Sequence, residues 1–117
     1  MKRFNLIVAI VIITSLSIQA QQMFKKYSGQ DIGNPKLKGS FQFDEKLQKF
    51  TVQGAGYNIW FARDEFHFLS NEVEGVFIIS ANIKFIGEGA DPHRKIGLMI
   101  RNSNAENAVY MDGAVHG

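Results

Sequence analysis

The chain has 117 residues, of which 45% are hydrophobic, with 13 basic and 11 acidic side chains and no cysteine. This length allows one domain at most. The lack of cysteine excludes a disulfide framework and a lipid-modified signal sequence, so a hydrophobic core has to stabilise the fold. Without Lys2 and Arg3 the chain has eleven basic and eleven acidic residues, which gives no support for nucleic-acid binding.

The first twenty residues have the order of a secretory signal peptide. Two basic residues precede the apolar run 6–13, and a small, mostly polar stretch leads to Ala20. We therefore predict cleavage after Ala20 and export to the periplasm or the extracellular space. The alternative is a membrane anchor, but the apolar run has only about eight residues, whereas a span needs roughly twenty.

The mature chain is predicted to begin with an opening segment over residues 21–38. Glycines and a proline are scattered through it, and residues 31–35 have the composition of a turn. Phe24 and Tyr27 are expected to pack onto the body of the domain, which is predicted to occupy residues 39–117.

Alternating apolar and polar residues predict a series of short strands after that segment. Residues 40–54 have the pattern of a hairpin with a polar turn at 44–48. Residues 57–61 and 66–68 are typical of two further strands, separated by a charged turn at 63–65.

The clearest strand pattern lies within residues 75–101. Apolar side chains alternate with polar ones over 77–85, which predicts a strand with one buried face and one solvated face. A glycine-rich loop follows, and residues 96–100 are apolar on both faces, as in an interior strand. A last strand is predicted over 109–115, with a bulge or a close approach at Gly113.

These elements amount to six or seven strands joined by turns rich in glycine and asparagine, and no stretch after residue 20 has a convincing helical period. The pattern predicts an all-β fold, an antiparallel β-sandwich. The sequence stops inside the predicted last strand, so we expect it to be incomplete at the C-terminus. The alternative is that the strand simply ends at Gly117.

The first candidate binding place surrounds Trp60. This residue lies opposite the predicted core residues Ile59 and Phe61. Its ring could stack on the apolar face of a sugar while Asp64 accepts hydrogen bonds from hydroxyl groups. The alternative is that Trp60 packs against a neighbouring sheet or a covering loop.

A second candidate place is the stretch 91–95, where His93 and Arg94 follow Asp91 at the end of the glycine-bearing loop. The alternative is a solvated turn in which Asp91 bonds the backbone and Arg94 pairs with a nearby acid. Glu88 and Asp91 could contribute to a calcium site, but calcium prefers six to eight oxygen ligands, so no metal is predicted.

A third candidate place is the polar face of the central strands, with Asn82, Lys84, Arg101 and His116, for which the alternative is an ordinary solvated sheet face. From all three places we select one set of predicted ligand-binding residues: Trp60 to stack, Asp64 to accept hydrogen bonds, and His93, Arg94 and Arg101, whose guanidinium groups would donate.

Catalysis has little support in the sequence. Retaining glycosidases need two carboxyl groups roughly 5–5.5 Å apart, and the closely spaced acidic runs of jelly-roll glucanases do not occur. The serines stand in no Gly-x-Ser-x-Gly motif, and the three histidines lack close metal-ligand spacing. We predict no catalytic residue and no cofactor.

Several segments resemble one family. Residues 54–61, 64–66, 75–77 and above all 91–101, DPHRKIGLMIR, are similar to exported Bacteroidetes proteins of the "regulation of enolase" (DUF1349) group, some of them described as TolB-like or biopolymer-transporter proteins. The resemblance, which extends over roughly residues 31–117, implies a concanavalin-A-like jelly roll of which this chain holds the N-terminal half. In some members a TolB-type β-propeller accompanies that domain. The resemblance supplies no catalytic residues.

Together these observations predict an exported, non-catalytic domain that binds carbohydrate or another cell-envelope ligand. One alternative is part of a sugar-active hydrolase whose catalytic residues lie beyond Gly117. Another is a structural or protein-interaction module associated with a TolB-like propeller, whose partner would be a cell-envelope protein. A shared fold does not decide between them.

Overall fold

The computed structural model describes residues 26–60 and 62–117. Every regular element within these ranges is a strand, and each strand pairs antiparallel with another, which confirms the all-β, antiparallel prediction. The predicted signal peptide, the first part of the opening segment with Phe24, and Phe61 lie outside the described residues. The strands are β1 (Ser28–Ile32), β2 (Ser40–Asp44), β3 (Lys49–Gln53), β4 (Ile59–Trp60), β5 (Arg63–Asp64), β6 (Phe66–Ser70), β7 (Lys95–Arg101) and β8 (Tyr110–His116).

The strands form four two-stranded sheets: β1–β6, β2–β3, β4–β5 and β7–β8. Three of these pairs join strands that are neighbours in the chain. The β1–β6 ladder is different because it runs from Ser28↔Ser70 to Ile32↔Phe66 and so encloses the β2–β3 and β4–β5 pairs. One long-range ladder therefore joins the two ends of the stretch 28–70.

The hairpin predicted over residues 40–54 is confirmed as β2–β3. Phe43 lies opposite Phe50 in the register, and their ring centroids are 4.6 Å apart. At the turn, the Asp44 carboxylate accepts hydrogen bonds from the N–H groups of Lys46 and Leu47, at 2.9 and 3.0 Å. Short polar side chains favour turns through such local bonds.

Two predicted turns differ from the sequence expectation in the stretch up to residue 65. The predicted turn at 31–35 begins inside β1, because the end of β1 pairs with β6. The predicted charged turn at 63–65 contains β5, whose Arg63 lies opposite Trp60. Residues 33–35 lie outside any strand, so the first turn is displaced, whereas Arg63 and Asp64 form a strand where a turn was predicted. In both places charged or polar side chains occupy a strand because a neighbouring strand supplies backbone partners.

The strand predicted over residues 77–85 is absent from the structure. Residues 71–94 contain no strand, and Val76 and Ile78 are almost wholly exposed. A strand needs a neighbour to satisfy its N–H and C=O groups, and within residues 26–60 and 62–117 no element takes that place. Alternation of side chains describes a strand correctly only when such a neighbour exists.

The last two predicted strands are present as the seven-residue pair β7–β8. The ladder runs without interruption from Lys95↔His116 to Arg101↔Tyr110, so the bulge predicted at Gly113 does not occur. A Cβ atom at Gly113 would meet nothing within 4 Å, and the close approach lies across the ladder at Gly97, where a Cβ atom would overlap the carbonyl oxygen of Gly113. Because β8 is exposed along its whole length, the interior position expected for 96–100 is not found.

The most buried side chains lie where β1 meets β5. Ile32 is almost completely buried, and so is Asp64. Between them, Gly33 has a φ of 67°, and a Cβ atom there would overlap the carbonyl oxygen of Asp64. A residue with a side chain would therefore be strained at Gly33 both by its backbone angle and by contact. This contact places Asp64 at the centre of the packed region.

Candidate functional site

The candidate site is built on the short β4–β5 ribbon. Ile59 lies opposite Asp64, and Trp60 lies opposite Arg63. Directly opposite residues of an antiparallel pair share a face. The ribbon therefore has one face with Ile59 and the buried Asp64, and a second face with Trp60 and Arg63.

The outward face of the ribbon combines aromatic rings with a cation. Trp60 is 62% exposed and Tyr57 is 81% exposed. The Arg63 guanidinium carbon lies 5.9 Å from the centroid of the Tyr57 ring. Glu65 accepts a 3.0 Å hydrogen bond from the Tyr57 N–H and lies 3.9 Å from the Arg63 guanidinium. Exposed rings beside a hydrogen-bond donor are the groups that can stack on a sugar and bind its hydroxyls.

Asn58 holds the ribbon in place from its N-terminal side. The Asn58 carbonyl accepts a 2.9 Å hydrogen bond from the N–H of Glu65. The Asn58 side-chain oxygen accepts hydrogen bonds from the Ile59 N–H at 2.9 Å and from Lys95 Nζ at 3.1 Å. Asn58 thereby connects the ribbon to the first residue of β7.

Asp64 and Arg101, both predicted to contact a ligand, contact each other. Arg101 Nη1 donates to Asp64 Oδ2 at 2.8 Å, and their side chains are 1% and 2% exposed. Neither charged group has surface that a sugar hydroxyl could reach in this structure. A role for them in ligand contact stays a prediction, and it would require the ion pair to open.

The guanidinium of Arg101 is fully engaged by its surroundings. Its Nε donates to the carbonyl of Ser103 at 3.1 Å, and its Nη2 donates to the carbonyl of Ala105 at 2.6 Å. Its Cζ lies 5.2 Å from the centroid of the Phe66 ring and 5.7 Å from that of Tyr110. One side chain thus joins β5, β6, β7, β8 and the loop between β7 and β8, and it fixes Asp64 behind the exposed face of the ribbon.

The predicted residues His93 and Arg94 lie at the other end of β7. The Asp91 side chain accepts a 2.7 Å hydrogen bond from the N–H of His93, and the His93 ring meets that of His116 edge-on at 6.3 Å. The Arg94 guanidinium lies 4.6 Å from the centroid of the Phe85 ring. The contacts of Asp91 and Arg94 match the solvated-turn alternative in part, since Asp91 bonds the backbone while Arg94 covers an aromatic ring instead of pairing with an acid.

The five predicted residues therefore form two groups. Trp60 and Asp64 belong to the ribbon, and Arg101 joins them from the far end of β7. His93 and Arg94 precede the near end of β7, about 20 Å from Arg101 along a strand of that length. The structure unites the first group and leaves the second apart. The third predicted place is not brought together either, since Asn82 and Lys84 lie in the exposed segment that forms no strand.

Sequence reasoning missed a second, partly buried pair, between His67 and Asp31. The two residues lie opposite each other in the β1–β6 ladder, and His67 Nδ1 is 2.8 Å from Asp31 Oδ1. The Asp31 carboxylate also accepts a 3.1 Å hydrogen bond from the Gly39 N–H and lies 3.9 Å from Lys38 Nζ. The hydrogen bond from His67 holds the pKa of Asp31 below its ordinary value. Burial acts in the opposite direction and raises this pKa, whereas the Gly39 N–H and the charges of His67 and Lys38 lower it further.

Glycines surround the imidazole of His67, whose side chain is 4% exposed. A Cβ atom at Gly39 would overlap the ring, and one at Gly54 would lie 2.8 Å from His67 Cβ. A Cβ atom at Gly29 would lie 2.9 Å from Nε2 and 2.6 Å from the Phe41 ring. Sequence spacing could have revealed only that glycine precedes β2 and follows β3.

The Nε2 atom of His67 has no hydrogen-bond partner within the part of the chain that the structure describes. The other ring nitrogen, Nδ1, is the one that contacts Asp31 Oδ1, at 2.8 Å. Nε2 lies close to Gly29, where an added Cβ atom would be 2.9 Å away. The histidine–aspartate pair thus contributes to the packing between β1 and β6.

Metal and membrane sites find no support among the described residues. No group of three or more His, Asp or Glu side chains in those ranges could hold a metal ion. In the same ranges no helix is long and apolar enough to cross a bilayer. Comparison with protein-family models, with curated proteins and with solved structures finds no match to this chain.

Proposed function

We propose that the chain is an exported, non-catalytic β-sandwich domain that binds carbohydrate or another cell-envelope ligand through the outward face of the β4–β5 ribbon. The observation that supports this is the pairing of the exposed Trp60 with Arg63 on that face, next to the exposed ring of Tyr57. The concanavalin-A-like jelly roll and the relation to the DUF1349 group belong to the same proposal. The signal pattern of residues 1–20 is its basis for export.

Each side chain has a distinct role in this proposal. Trp60 stacks on the apolar face of a sugar ring, and Tyr57 extends the platform. Arg63 lies directly opposite Trp60 in the register, so its guanidinium can donate to hydroxyl or carboxylate groups of the same sugar. Asp64 and Arg101 act from behind, because their buried pair fixes the strand that carries Arg63.

The proposal is tested by screening the protein against a glycan array and measuring any hit by titration calorimetry. Trp60→Ala should weaken the affinity at least about tenfold, which is the loss expected for a central aromatic contact, and Arg63→Ala should weaken it less. Leu47→Ala is the matched control, since Leu47 is exposed to a similar extent, 69%, but lies at the tip of the β2–β3 hairpin.

Two results would count against parts of the proposal. Affinity that survives Trp60→Ala unchanged would remove this residue from the ligand face. Failure to bind any glycan on the array would remove carbohydrate as the ligand class. Export is tested separately: mass spectrometry of the protein secreted from a bacterial host should find Gln21 at the N-terminus.

A further inference from the structure

Residues 75–87 form an apolar segment that pairs with no strand in the described ranges. Exposure alternates along it: Val76 and Ile78 are almost wholly exposed, whereas Phe77 and Ile79 are 42% and 44% exposed. Such alternation is that of an extended chain. The segment thus has the shape and the composition of a strand but no paired strand among residues 26–60 and 62–117.

The residues of this segment are nearly symmetric about Ala81. Glycine ends it on both sides at the same distance from Ala81, and both glycines have left-handed φ angles, 78° and 67°. Outward from Ala81 the matching positions are Ser80 with Asn82, Ile79 with Ile83, Ile78 with Lys84, Phe77 with Phe85, Val76 with Ile86 and Gly75 with Gly87.

We propose that residues 76–86 of two copies of the chain pair as antiparallel strands about a twofold axis through Ala81. In this register Phe77 lies opposite Phe85 of the second copy, and Ile79 lies opposite Ile83. Aromatic and β-branched pairs of this kind stabilise antiparallel sheets. The contact pairs the backbone N–H and C=O groups along one edge of each strand, and it is isologous, so both copies use the same edge.

The charge in the segment selects this register over its neighbours. With the axis on Ala81, Lys84 lies opposite Ile78, and the two Lys84 residues of the dimer are about 20 Å apart along the strands. With the axis on Lys84 the two cations would lie directly opposite each other, which is unfavourable. With the axis on Ile83, Phe85 would lie opposite Ala81 and lose its aromatic partner.

Cysteine cross-linking tests the register directly, because the natural chain contains no cysteine. In the full chain, Ala81→Cys places the thiol opposite its own copy at a Cα separation of about 4.5–5.5 Å, within the range for a disulfide. Ile79→Cys is the matched control on the same face, with its copy about 13 Å away along the strands. Mild oxidation should therefore convert Ala81→Cys to covalent dimer and leave Ile79→Cys mostly monomeric, whereas an equimolar mixture of Ile79→Cys and Ile83→Cys should cross-link.

Sedimentation of charge variants provides the second test. The chain with Ile79→Lys and Ile83→Lys, and the chain with Ile79→Glu and Ile83→Glu, should each be monomeric, and their mixture should form a heterodimer. Equal cross-linking of the Ala81→Cys and Ile79→Cys chains, or sedimentation of the natural chain as a monomer, would overturn the proposal. In the monomer case the segment would have to pair with a strand other than its own copy.

Discussion

Replacing Arg101 with methionine removes the positive half of a buried ion pair and leaves the Asp64 carboxylate without a counter-charge. The two side chains are 1% and 2% exposed, so water cannot compensate for the loss. Breaking such a pair from one side costs about 3–5 kcal/mol. A small domain has a total stability of roughly 5–15 kcal/mol, so this single change should remove a large fraction of the free energy of unfolding.

The assay is urea unfolding followed by the fluorescence of Trp60, the only tryptophan in the chain. Because Arg101 also donates to two loop carbonyls, the single variant alone does not isolate the ion pair. A double-mutant cycle with Asp64→Leu isolates the ion pair, because the loop hydrogen bonds are lost in both variants that lack the arginine. We expect the double variant to lose less free energy of unfolding than the two single variants together, by about 1–3 kcal/mol. Two results would refute the reasoning. One is a loss of free energy of unfolding below about 1 kcal/mol for Arg101→Met, which is the range of exposed ion pairs. The other is a double variant whose loss equals the sum of the two single losses.

Two further predictions concern the His67–Asp31 pair. The pKa of Asp31 is lowered in the folded chain, so the carboxylate adds stability above its unfolded pKa, and this stability is lost as the pH falls through the folded pKa. The Asp31→Asn variant should therefore lose less urea resistance than the natural chain between about pH 5 and pH 2. An unchanged pH profile of urea resistance in this variant would contradict the assignment. Gly39→Ala should destabilise the chain by about 1–3 kcal/mol through overpacking against His67. Gly113→Ala, where a Cβ atom meets nothing within 4 Å, should change the thermal midpoint little, and equal losses at both positions would show that the glycine environment of His67 does not matter.

The sequence predicted the fold class and the local hairpins because both depend on residues that are close in the chain. The alternation around Phe43 and Phe50 and the polar turn between them determine the β2–β3 pair without distant partners. The β1–β6 ladder was missed because nothing in the polar and glycine-bearing stretch of β1 indicates which strand will lie beside it. The strand predicted over 77–85 was wrong for the converse reason. Its own alternation is typical of a strand, but the neighbouring strand that it requires is not among the described residues.

The candidate site was predicted in part. Trp60 was selected because an aromatic side chain alternates with core residues, and the structure exposes it. Asp64 and Arg101 were selected for their charge, and the structure brings them together as each other's partners. Pairing of this kind depends on how β5 and β7 approach in space, which single-residue chemistry does not reveal. Arg63 was overlooked because its position opposite Trp60 follows only from the register of the ribbon.

The enclosing position of the β1–β6 ladder has a consequence for the kinetics of folding. The β2–β3, β4–β5 and β7–β8 pairs close short loops, and hairpins of this kind form within about 1–10 μs. Pairing Ser28 with Ser70 closes a far longer loop and costs more conformational entropy. Only the contacts of the β1–β6 ladder itself offset this cost. We expect this ladder to form last, so that substitutions at its centre accelerate unfolding and leave the refolding rate almost unchanged.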